Sequence, residues 1–109
     1  MARHEFGIMQ SAPRSGEVYF DYEPEKYDCI SVDDEIVERI DWKTKDVKCF
    51  WHTVDRPEKG LAYCGITLIP PESIKEIAAV LGEEENILSL KLLLQKAEQE
   101  NKFVIHFGI

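Results

Sequence analysis

His106, Cys29 and Ser31 are the residues of this chain whose types could make an activated nucleophile. An imidazole beside a thiol or hydroxyl can take its proton and sharpen it for attack. His106 belongs to the closing run Phe103 to Ile109, and Cys29 and Ser31 to the run Cys29-Ile30-Ser31-Val32. The chemistry therefore needs those two runs to lie side by side. No carboxylate can be assigned to orient the imidazole, and no Gly-rich nucleophile elbow occurs. The plain alternative is that His106 is a partly buried strand residue with one hydrogen bond.

A second constellation is His52 with Tyr63 on a central hairpin, close to Phe50. Stacking rings beside a hydrogen-bonding imidazole would suit a flat polar ligand such as a nucleotide base, although ordinary cross-strand packing explains the same pair. The third is the segment Glu17 to Asp28, EVYFDYEPEKYD. Tyr19, Phe20, Tyr22 and Tyr27 alternate there with acids, and Pro24 opposes a helix. Tyrosines offer large, stiff contact area, and the interleaved acids attract a basic partner. Such an arm either wraps its own sheet or docks on another protein.

Other chemistry is poorly supplied. His4, His52 and His106 are scattered and lack ligand spacing, so no metal and no cofactor is expected. Asp33-Asp34-Glu35 and Glu83-Glu84-Glu85 read as acid-rich helix starts. Neither Gly-rich phosphate loop pattern is present. Arg56 and Lys59 at a hairpin tip read as solvated charges.

The chain of 109 residues is read as a single domain, with residues 1–28 forming an N-terminal strand and the acidic–aromatic arm and residues 29–109 an α/β sandwich. Its formal net charge of −8 opposes contact with a phosphate backbone, so no nucleic-acid partner is expected. The three cysteines (Cys29, Cys49, Cys64) are irregularly spaced and read as reduced thiols. No run of eighteen apolar residues occurs and the amino end shows no leader, so no membrane partner and a cytoplasmic location are expected.

The elements that must position these residues follow from periodicity. Phe6-Gly7-Ile8-Met9 echoes Phe107-Gly108-Ile109, so the chain ends could pair within one molecule or between two copies. Ile36, Val37 and Ile40 make an apolar stripe behind Asp33, predicting a helix that fades near Thr44. Val47 to Val54 and Leu61 to Ile69 read as strands around a turn ending at Gly60. Ile74, Ile77, Ala78 and Leu81 predict a second helix, and Leu90, Leu93, Leu94 and Ala97 a third. Phe103 to Ile109 alternates like a strand.

This βαββαβ order resembles the ferredoxin-like α+β sandwich, with an extra helix before the last strand and an extended N-terminal arm. The resemblance implies the strand order last, first, third, second, with helices on one face. On that layout Ile30, Val32, Cys49, Trp51, Cys64, Ile66, Leu68, Phe103, Ile105 and Phe107 face the helices. Cys29, Ser31, Phe50, His52, Tyr63, Gly65, Thr67, Val104 and His106 face the other way, and a one-residue slip would swap either set. That second face needs the arm, a second copy or a ligand to cover it.

The expected function is a small acidic, non-catalytic module that occupies a protein partner, as an inhibitor, immunity protein or anti-defence protein does. The alternative is a homodimeric small-molecule or nucleotide binder lined by Phe50, His52, Tyr63 and His106.

Overall fold

The computed structural model describes residues 2–83 and 85–109; Glu84, the middle of the acidic run expected to start a helix, lies outside them. The chain forms strands β1 (Arg3–Ile8) and β2 (Ile30–Asp33), helix α1 (Asp34–Lys43), then β3 (Lys48–Trp51), β4 (Pro57–Lys59) and β5 (Ile66–Ile69). Helices α2 (Pro71–Ala79) and α3 (Leu88–Gln99) and strand β6 (Val104–Phe107) follow. Short 3-10 helices lie at Glu85–Ile87 and at Pro24–Tyr27, where Pro24, expected to oppose a helix, instead opens one turn of it in the otherwise irregular arm. These strands make one six-stranded sheet in the order β2-β1-β6-β5-β3-β4, antiparallel at every pairing.

This mixed α/β architecture agrees with the expected class, but the order differs from the expected last-first-third-second. Direction explains it. One helix joins β2 to β3, so these two strands run the same way, as in the ferredoxin-like arrangement. Two helices join β5 to β6, so β6 turns round and runs parallel to β2. It cannot then form an antiparallel ladder beside β2. β1 enters between them, pairing Phe6 with Ile30 on one side and with His106 on the other. The echoing chain ends thus pair within one molecule, and β1 is central rather than peripheral.

Local chemistry explains the boundaries. Asp33 occupies the N-cap of α1 in extended conformation, but its carboxylate takes no helix amide and instead accepts from Arg3 at 2.7 Å. Thr44 closes that helix through its hydroxyl, donated to the Ile40 carbonyl at 2.8 Å. Pro71 opens α2 at a position that needs no amide donor. Leu61 to Gly65, expected as strand, turns instead, while Pro57–Lys59, expected as part of the turn, pairs with β3 as β4. Ser73 donates its hydroxyl to the Lys48 carbonyl at 2.5 Å, tying α2 to β3.

Both faces of the sheet are covered. Under the helices lie Phe6, Ile8, Val32, Cys49, Ile69 and Val104, packed with Ile36, Val37 and Ile40 of α1 and their counterparts on α2 and α3. On the other face Met9, Ile66, Leu68, Ile105 and Phe107 pack beneath Tyr19 and Tyr27 of the arm, with Phe50 and Phe103 beside them. The sidedness expected for β2 and β3 is therefore right. For β5 and β6 it is inverted: Thr67, Val104 and His106 lie under the helices, and Ile66, Leu68, Ile105 and Phe107 under the arm. Alternation sorts a strand into two sets but does not say which set meets which layer when both layers are apolar.

Candidate functional site

Two regions concentrate polar and aromatic side chains: the arm on one side of the sheet and a buried imidazole pair on the other. The arm is held at several points along its length. Asp55 accepts from the Ser15 hydroxyl at 2.6 Å and from the Gly16 amide at 2.7 Å, which holds its carboxyl below the usual range. His52 then clasps the middle. Its carbonyl accepts from the Tyr19 amide at 2.7 Å, and its Nδ1–H donates back to the Tyr19 carbonyl at 2.8 Å. To do this His52 sits in the left-handed region at φ 66°, where a branched or bulky residue is strained.

Farther along, the Tyr22 hydroxyl donates to Glu5, which pushes the phenol up to about 12. The Tyr22 ring meets Phe107 edge-on at 5.5 Å, and Tyr27 approaches the same ring at 6.1 Å. Gly7 allows the arm's return onto β1: a Cβ there would lie 2.8 Å from the Tyr27 carbonyl oxygen. Tyr19 and Tyr27 are half-buried, but Val18, Phe20 and Tyr22 remain 50%, 75% and 63% exposed. A cavity of about 570 Å3 opens between arm and sheet.

Beneath the helices a continuous hydrogen-bonded chain runs through the core. The Ala62 amide donates to Thr67 Oγ1 at 2.8 Å, which lies 3.0 Å from His106 Nδ1. His106 Nε2 meets His4 Nδ1 at 2.8 Å, and His4 Nε2 meets Asp34 Oδ1 at 2.9 Å. Tyr63 donates its hydroxyl to the same carboxylate. An ionised carboxylate only accepts, so His4 Nε2 carries hydrogen. For neutral imidazoles the rest follows: His106 donates to His4, and Thr67 donates to His106. His4, Thr67 and His106 are fully buried, whereas the Asp34 side chain stays 29% exposed. Burial, reinforced by His4, pushes His106 down to about 3. The Tyr63 and His4 hydrogen bonds hold the Asp34 carboxyl below its usual range, and Asp34 raises Tyr63 to about 12.

The four rings expected to line one pocket are therefore split. Phe50 lies on the arm side, 6.4 Å from Phe103, and His52 faces Tyr19 and Phe20 there. Tyr63 and His106 lie on the helix side with His4. The expected nucleophile does not form either. β1 separates β2 from β6, Cys29 lies under the arm, and burial pushes its thiol up to about 12. Among the described residues no group of three His, Cys, Asp or Glu is arranged to hold a metal ion. No helix among them is long and apolar enough to cross a membrane.

Of the four arm rings, Tyr19 and Tyr27 face the sheet while Phe20 and Tyr22 stay exposed, so only part of that set is available to a partner. The sequence reading missed His4, Asp34 and Thr67 as a unit. A usable signal existed in His4-Glu5-Phe6-Gly7-Ile8, where His4 shares the parity of two apolar residues. No protein-family model, curated protein or solved structure matches this chain.

Proposed function

We propose that this chain is a non-catalytic binding module that acts by occupying a protein partner through the outer face of its arm. One observation carries the reading: the arm is pinned to its own sheet, partly through Tyr22 on Glu5, yet turns Val18 and Phe20 outward and leaves the Tyr22 ring largely exposed among Glu17, Asp21, Glu23 and Glu25. Rings held in place before binding lose little entropy on contact, and aromatic anchors carry most of the energy of protein interfaces. A net charge of −8 steers a basic surface towards them. Inhibitor, immunity and anti-defence proteins work in this manner, and a cytoplasmic setting fits reduced thiols.

The small-molecule alternative is not retained, because its four lining rings lie on opposite sides of the sheet. The arm also occupies the face that a sheet-to-sheet homodimer would use. The test compares wild type with a Val18→Ser, Phe20→Ser variant of unchanged melting temperature in extracts of the native cell. A partner bound by wild type and lost by the variant supports the reading. Identical sets of bound proteins would refute it.

A further inference from the structure

The cavity between arm and sheet has the chemistry of a site for a protonated side chain. Its floor is apolar, made by the buried Met9 and Ile105, and the rings of Tyr19 and Tyr27 line it. Its exposed rim carries Glu17, Asp21 and Glu23. Lys26 is the one cation among the lining residues, and its ammonium stands 5.7 Å from the centre of the Tyr27 ring. The wall thus already attracts a positive charge supplied by the chain itself.

We infer that this cavity receives an arginine or lysine side chain of the partner, with a neighbouring apolar residue resting on Val18 and Phe20. The inference rests on the arm being the docking face and names what that face reads. A long cationic side chain matches each layer. Its methylene stem lies on the Met9–Ile105 floor, its charge meets ring faces, and the terminal donors reach the rim carboxylates. Arginine is the better fit, since a planar guanidinium stacks on an aromatic ring while still donating to carboxylates. The volume of about 570 Å3 lies within the range of small-ligand sites and accommodates a side chain together with its flanking backbone. Glu17 already accepts from the Arg14 amide at 2.7 Å, but an anionic segment would be repelled by all three rim carboxylates and a neutral one would gain no charge pairing from them.

Nuclear magnetic resonance titration tests this with the peptide acetyl-Leu-Arg-Leu-amide and the same peptide carrying citrulline, which keeps shape and removes charge. The arginine peptide should shift the amide signals of residues 17–27 and bind at least about tenfold more tightly than its citrulline counterpart. Lys26→Gln, which frees the Tyr27 face, should tighten it further. A Glu17→Gln, Asp21→Asn, Glu23→Gln variant should erase the difference between the peptides. Equal binding of the two peptides by wild type, or no shift with either, overturns the inference and needs no variant to fold. Agmatine binding as tightly as the arginine peptide would assign the cavity to a free small cation and also overturn it. Charge selectivity lost while capture still depends on Val18 and Phe20 would leave the docking reading standing. Selectivity present without arm-dependent capture would do the reverse.

Discussion

Mild acid should destabilise this protein through His106. The imidazole is fully buried, and its folded-state value of about 3 lies well below its ordinary 6.5. Below pH 6.5 the unfolded chain takes up a proton on His106 that the folded chain refuses until about pH 3. Stability from this group is therefore complete above pH 6.5 and is lost as pH falls through that window. The slope is about 1.4 kcal/mol per pH unit, so moving from pH 7 to pH 5 should remove roughly 2 kcal/mol. For a domain of this size that lowers the melting temperature by on the order of 10 °C. Carboxylates held low in the fold, such as Asp34 and Asp55, act in the same direction but only nearer pH 4 and below, so they add little between pH 7 and pH 5, and the His106 ring resonance assigns the loss to this imidazole. Urea unfolding at the two pH values measures the loss, and the His106 ring resonance should show no titration above pH 5. A midpoint unchanged over this interval, or a His106 ring that titrates near pH 6, would refute the reasoning.

Four further outcomes follow from the contacts described. Thr67→Val strips the partner from the Ala62 amide and from His106 Nδ1, so urea unfolding should show a loss of about 1–3 kcal/mol, while Thr67→Ser stays near wild type. Gly7→Ala drives a Cβ against the Tyr27 carbonyl, and limited proteolysis should then cut the arm faster, at a stability cost of about 1–3 kcal/mol. At His52 the left-handed backbone makes glycine the milder loss: His52→Gly should be about 1 kcal/mol more stable than His52→Ala in thermal melts, both lacking the bond to Tyr19. Among the thiols the exposed Cys64 should alkylate first at pH 8, whereas Cys29 and Cys49, both raised to about 12 by burial, should lag until the protein unfolds.

Local chemistry alone located most elements. Apolar spacing at three and four residues marks α1, α2 and α3, because one face of each helix must meet the core. Gly60 reads as a turn residue and does adopt a positive φ of 80°. The alternation of Phe103 to Ile109 reveals β6. In the same way, the mixture of tyrosines and acids marks the arm before any contact is known. These are signals carried by neighbours along the chain, and they survive without a fold.

Strand order and sidedness are of another kind. A second helix before β6 reverses that strand, admits β1 beside it, and so joins His4 to His106 across a separation of 102 residues. No local pattern records that pairing. Nor does parity choose between two apolar layers, which is why Thr67 and His106 join His4 under the helices rather than His52 under the arm. The sequence determined where the three helices, the last strand and the arm lie, because their signals are local; packing on both faces of the sheet decided the extent of the middle strands and which side chains share a site.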